Sequence, residues 1–264
     1  MELYNKLKHC DKFFLIAGPC VIEDEKMMMY VAEKLVEMTQ ERGIEFIFKS
    51  SFRKANRTSV NSPTGPGLTK GLEILSEIKR EFNVPILTDI HNLSEIKLVA
   101  EVADVLQIPA FLSRQTDLLC AAAKTGRIVN IKKGQFMAPE DMKGATEKVL
   151  SEENDKILLT ERGTSFGYHN LVVDFRSFAI MKQIGFPVIY DVTHSLQKPS
   201  QNITSGGTPE YAQVMAKAAI ATGRVSGLFI ETHPNPEDAL SDANSMLPID
   251  ELPQLLDACL KING

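Results

Sequence analysis

A single-domain (β/α)8 TIM barrel is the architecture this sequence predicts, and three observations predict it. The chain has 264 residues, a normal length for one such barrel and long for one sandwich. Short apolar runs alternate with amphipathic segments along its length. Each run is apolar mainly in its first half, as strands buried on both faces of a parallel sheet must be.

In chain order, the first twelve residues precede the first run and are expected to cap the barrel floor as a short N-terminal extension. The runs are FFLIAGPC (13–20), EFIFKSS (45–51), PILTDIH (85–91), VLQIPA (105–110), IVNIKKG (128–134), KILLTERG (156–163), VIYDVTHS (188–195) and GLFIETHP (227–234). Between them lie helical patterns such as 26–41, 69–82, 115–125, 170–184 and 209–222. Eight strand–helix repeats favour a closed parallel barrel over a doubly wound open sheet. Segments 52–68 and 196–208 are polar and rich in Gly, Pro, Ser or Thr, so both read as loops. Each follows a strand and belongs at the C-terminal mouth, where functional loops of this fold cluster. Without a long linker or a charge block, one domain is expected.

Composition narrows the function classes. Hydrophobic content of 44% with 24% charged residues is that of an ordinary globular protein. A net charge of −5 argues against a nucleic-acid surface. No apolar run approaches the roughly 20 residues that cross a bilayer. Lys6, Lys8 and Lys12 precede an apolar stretch at 13–16. That stretch is too short for a signal sequence and no small-residue cleavage site follows, so a cytoplasmic protein is expected. Cys10, Cys20, Cys120 and Cys259 have no paired spacing and no disulfide is expected; Cys120 reads as packing on a helix face.

The last polar residues of the runs are Cys20, Lys49, Asp89, Gln107, Lys132, Arg162, His194 and Glu231. A barrel brings such residues to one face, where an ordinary barrel would need apolar filling. Closure sets strand eight beside strand one, so Cys20, His194 and Glu231 become neighbours. With Asp242 from the following loop they could surround one divalent ion, with His233 as a rival ligand. Alternatively, Cys20 fills space and His194 is a hydrogen-bonded mouth residue. Lys49, Lys54, Arg57, Lys132 and Arg162 form a cationic wall suited to phosphate and carboxylate oxygens. Lys133 reads as a solvated surface charge. Ser205-Gly206-Gly207, just before a helix, offers backbone donors to a phosphate.

These details resemble the 3-deoxy-D-manno-octulosonate 8-phosphate synthase family (2-dehydro-3-deoxyphosphooctonate aldolase). The resemblance covers roughly residues 14–247 and rests on AGPC (17–20), FKSSFRKANRTS (48–59), TDIH (88–91), QIPAFLSRQTDLL (107–119), NIKKGQF (130–136), LTERGTSFGYHNLVVDFRS (159–177), YDVTHS (190–195), SGG (205–207) and ETHPNPEDALSD (231–242). It implies condensation of phosphoenolpyruvate with arabinose 5-phosphate and water, releasing phosphate, in lipopolysaccharide precursor synthesis. Lys49, Ser51, Gln107, Pro109, Ala110, Lys132 and Arg162 are then the phosphoenolpyruvate side. Lys54, Asn56, Arg57, Asp89 and Ser205 are the pentose phosphate side, with Arg57 and Ser205 reaching the sugar phosphate across a subunit interface of a homotetramer. Cysteine at position 20 marks the family's metal-dependent branch, which implies zinc, iron(II) or manganese on Cys20, His194, Glu231 and Asp242. The candidate proton acceptor is Asp89 or the metal site.

The chain departs from the family pattern at Pro63-Thr64-Gly65, at NRTS where NRSS is usual, and in the 196–204 loop. All three lie on the sugar side. The alternatives are a sister synthase that uses erythrose 4-phosphate to make the heptulosonate, a Schiff-base aldolase with Lys132 as nucleophile, and a non-catalytic ligand-binding barrel.

Overall fold

The computed structural model describes residues 2–57, 59–199 and 206–263. Its eight barrel strands are β1 (Phe14–Gly18), β2 (Phe46–Lys49), β3 (Ile86–Asp89), β4 (Val105–Ile108), β5 (Ile128–Lys132), β6 (Ile157–Glu161), β7 (Val188–Asp191) and β8 (Gly227–His233). Consecutive strands pair in parallel, and β8 returns to pair with β1, with Gly18 opposite Glu231. The barrel expected from eight runs is therefore closed.

Alternation along each strand divides the apolar residues into two sets. One set, including Phe14, Ile16, Ile47, Leu87, Val105, Ile128, Leu158, Ile189 and Phe229, fills the barrel interior. The other, including Leu15, Ala17, Phe46, Phe48, Leu106 and Val129, packs outward against the helices. Gly227 is required by the inner packing, because a Cβ there would lie 2.5 Å from the ring of Phe14. The N-terminal segment forms a helix, α1 (Glu2–Lys8), whose Tyr4 and Leu7 join the inner set; Tyr4 donates to the carbonyl of Ile157 at 3.1 Å. It covers the barrel floor.

The outer helices occur where the apolar periodicity placed them, as at Glu25–Arg42, Leu68–Phe82 and Thr116–Lys124. Segment 170–184 differs. Its first part is a small antiparallel pair, Thr164–Ser165 with Leu171–Val172, and the helix spans only Arg176–Lys182. Gly167 at φ +72° and His169 at φ +53° turn the chain back, and the Asp174 carboxylate accepts from the Arg176 amide, so the helix starts late. Cys120 is half-buried, its thiol 3.5 Å from the Lys148 carbonyl of a neighbouring helix.

Because Leu7 is fully buried in the floor, Leu7→Ala is expected to cost about 2–4 kcal/mol. Chemical denaturation checks this; a loss below about 1 kcal/mol would show that the helix merely rests on the barrel.

Candidate active site and metal centre

The inner register that buries Ile47, Leu87, Val105, Ile128, Leu158, Ile189 and Phe229 continues two residues toward the mouth as Lys49, Asp89, Gln107, Asn130, Thr160, Asp191 and Glu231. The interior thus changes from apolar to polar within one strand repeat. Among the described residues, Lys49, Asp89, Gln107, Lys132, Arg162, His194 and Glu231 line one mouth cavity of about 350 Å³, together with Lys54, Asn56, Arg57, Pro109, Ala110 and Asp242. Ser205 lies outside the described residues, so its relation to this cavity is not part of the picture.

One wall gathers potential ligands. Atoms of Cys20, Glu231 and Asp242 all lie within 4.8 Å of one another. Cys20 comes from the turn after β1, Glu231 from β8, and Asp242 from the loop beyond. Gly18 permits this approach, since a Cβ there would sit 2.0 Å from the Lys49 carbonyl oxygen. The Cys20 thiol lies 3.0 Å from Asp242 Oδ2. His194 adds Nε2 at 3.5 Å from Glu231 Oε2, a buried oxygen with no hydrogen-bond partner. A thiol, an imidazole and two carboxylates, one with an orphaned buried oxygen, make a donor set that fits a borderline divalent cation. His233 turns away: Nδ1 is 2.7 Å from the Asn235 carbonyl and Nε2 is 3.6 Å from Glu23.

Two ammonium groups balance the negative charge of this wall. Lys49, almost wholly buried, pairs with Glu231 and donates to the Cys20 carbonyl at 2.9 Å. Lys54 Nζ lies 2.8 Å from Cys20 Sγ and 2.9 Å from Asp242 Oδ2. The residue expected on the sugar side therefore reaches into the ligand cluster. Burial, with Asp242 and Glu231 beside it, pushes the Cys20 thiol well above its usual range. Burial would also raise the Asp242 carboxyl, but Lys54 and His194 outweigh it and hold that group ionised.

The facing wall is cationic. Lys132 Nζ sits 3.9 Å from the centroid of the Phe229 ring and 2.7 Å from Asp191 Oδ2. Arg162 donates to Gln197 Oε1 at 3.1 Å, while its Nη1 is buried and has no partner. Burial draws the Arg162 pKa down. A buried guanidinium nitrogen with nothing to donate to is a costly feature that an anionic ligand relieves.

Between the walls stands Asp89, which accepts from Ser51 at 2.9 Å and from Gln107. Asn130 donates to Gln107 at 2.9 Å, and Thr160 donates to Asn130 at 2.7 Å. This buried chain orients the Gln107 amide from behind. Burial pushes the Asp89 carboxyl up, but Lys49, His91 and Lys132 outweigh it and lower the pKa to about 2.

Further sequence readings change. Lys133 is not a solvated charge; it is fully buried, 3.4 Å from Glu161 and 3.0 Å from Thr164 Oγ1. It follows Lys132 and so faces outward from the barrel, where the β6 loop covers it. His194 does not end a strand: β7 stops at Asp191, and His194 lies on the helical turn Val192–Ser195. Asp191, the inward residue two positions after Ile189, was passed over because the more reactive His194 ended the same run. Period-two alternation would have found it. Gln197 and Phe229 carried no signal of their own.

The sequence model of the DAHP synthetase I family matches residues 9–262. Among curated proteins, the 2-dehydro-3-deoxyphosphooctonate aldolase of Syntrophotalea carbinolica is 52% identical over 251 residues, covering 95% of this chain and 90% of its own. The proteins of the same name from Rickettsia typhi and Polaromonas sp. are each 53% identical, covering 93% and 95% of this chain and 89% and 90% of their own. A match across nearly the whole barrel, mouth loops included, shows that the chain belongs to the DAHP synthetase I family, in its group of 2-dehydro-3-deoxyphosphooctonate aldolases.

Proposed function

We propose that this mouth condenses phosphoenolpyruvate with arabinose 5-phosphate and water to give 3-deoxy-D-manno-octulosonate 8-phosphate and inorganic phosphate, with a divalent ion on Cys20, His194, Glu231 and Asp242. The observation that carries this reading is a cationic wall, with one buried guanidinium nitrogen that has no hydrogen-bond partner, facing a ligand cluster across one cavity. The relatives' names denote an eight-carbon acid. A three-carbon phosphoenolpyruvate reaches eight carbons only with a five-carbon aldose, which disfavours erythrose 4-phosphate as acceptor.

Arg162 and Lys132 hold the carboxylate and phosphate of phosphoenolpyruvate by charge-assisted hydrogen bonds, fixing its alkene over the aldehyde. C3 then attacks the aldehyde carbon, positive character grows at C2, and a water oxygen adds there. Phosphate leaves as the C2 keto group forms. Cys20, His194, Glu231 and Asp242 would hold a divalent ion, which would supply Lewis-acid polarisation of an oxygen there. With its pKa lowered to about 2, Asp89 is a weak proton acceptor at neutral pH. Its role in this reading is to accept hydrogen bonds from Ser51, Gln107 and substrate hydroxyls. Lys132 is ion-paired with Asp191 at 2.7 Å, an arrangement that disfavours its use as a Schiff-base nucleophile.

Exposed Asn56 and half-buried Arg57 line the outer part of the cavity, where the phosphate end of the aldose would lie. Phe111, Phe136, Phe166 and Tyr168 are exposed on loops around the mouth, and a homotetramer that covers them, with Arg57 shared across its interface, is part of this proposal. All four cysteines are free thiols, which suits a cytoplasmic site of action in lipopolysaccharide precursor synthesis. Among the described residues, no helix is long and apolar enough to cross a membrane.

Purified protein offered both aldoses with phosphoenolpyruvate is expected to turn over arabinose 5-phosphate in clear preference; equal or greater turnover of erythrose 4-phosphate overturns the assignment. Metal removal by a strong chelator is expected to abolish turnover and a divalent ion to restore it, whereas full activity in protein shown metal-free by elemental analysis removes the metal from the scheme. Since Cys20 must lose its proton to bind metal, uptake should weaken as pH falls. Lys132→Ala is expected to lower kcat/KM for phosphoenolpyruvate on the order of 10²–10³-fold, and kinetics near those of the unaltered enzyme would contradict its role.

A further inference from the structure

Asp191 stands between the two walls and neither the motif reading nor the proposed chemistry uses it. It is wholly buried at the end of β7. Its Oδ1 accepts from the His194 backbone amide at 3.0 Å and lies 3.0 Å from His194 Nδ1. Its Oδ2 is ion-paired with Lys132 at 2.7 Å and lies 2.9 Å from His194 Nδ1, with Lys132 Nζ 3.4 Å from that same ring nitrogen. Thr193 Oγ1, which approaches Oδ1 at 3.4 Å, also accepts from the backbone amide of Glu231.

We propose that Asp191 is a positioning residue that couples the metal-side imidazole to the anion-binding lysine, one carboxylate orienting His194 toward Glu231 and holding Lys132 against the Phe229 ring. Two consequences follow from the geometry. A hydrogen bond at Nδ1 leaves Nε2, the nitrogen facing Glu231, as the one able to bind a metal. The same negative charge confines a flexible four-carbon side chain to one direction before any anion arrives, so less order must be imposed on binding. Asp191 also caps the one-turn helix Val192–Ser195. Asparagine serves equally well as an N-cap, so Asp191→Asn removes the charge while retaining that local structural role.

This inference rests on the functional reading above, and the test separates the two. Zinc affinity is measured by competition with a chromogenic chelator, and phosphoenolpyruvate affinity by calorimetry on the zinc-loaded protein. Relative to the unaltered chain, Asp191→Asn is expected to weaken zinc binding on the order of 10–100-fold and phosphoenolpyruvate binding on the order of 10-fold, with unchanged far-ultraviolet circular dichroism. An unaltered chain that binds neither zinc nor phosphoenolpyruvate sinks the functional reading and this inference with it. Binding of both by the unaltered chain, with either affinity unmoved in Asp191→Asn, sinks the inference alone. Should the variant fail to fold, nitrogen-15 histidine spectra of the zinc-loaded unaltered protein decide. A protected proton on His194 Nδ1 supports the proposal, and a proton on Nε2 overturns it.

Discussion

Pairing of the eighth strand with the first, which sets Glu231 opposite Gly18, is the constraint on which the mouth depends. It brings the turn holding Cys20 beside the strand holding Glu231, more than two hundred residues later in the chain. A side chain at position 18 would strike the neighbouring strand, so the approach is closed to any residue but glycine. Once the barrel closes there, the alternating register does the rest. Every second residue points inward, apolar toward the floor and polar toward the mouth.

A barrel interior filled with charge is expensive, because desolvation of each ion costs more than an isolated pair returns. This site offsets the cost by interleaving signs. Lys49 meets Glu231, Lys54 meets Asp242, and Lys132 meets Asp191. Among the buried atoms left without a hydrogen-bond partner are a nitrogen of Arg162 and an oxygen of Glu231. Those unmet groups face the cavity from opposite walls, one suited to an anion and the other to a cation. Residual imbalance of this kind is where a folded interior retains affinity for ligands.

The ordering of roles around the cavity follows from the same interleaving. Lysines beside them hold the Asp89 and Asp191 carboxylates below their usual range, and as ionised groups both accept hydrogen bonds from their neighbours.

Much of this was determined by the sequence alone. Runs that were apolar at first and polar at the end marked eight strands, and the residue types at their ends named the chemistry, because alternation and burial act over a few neighbouring residues. Family membership, too, could be read from motifs such as those around Lys49 and Glu231. Tertiary structure decided what depends on partners distant in the chain. Lys133 is one residue from Lys132, yet it is buried on the other face because Glu161 and Thr164 receive it. Lys54 enters the ligand cluster because Asp242, 188 residues away, waits there. Asp191 rather than His194 ends its strand, and its importance appears only when Lys132 from another strand meets its second oxygen. Local pattern specifies which way a side chain points; only closure of the barrel specifies what it meets, since burial and charge balance are properties of the assembled neighbours.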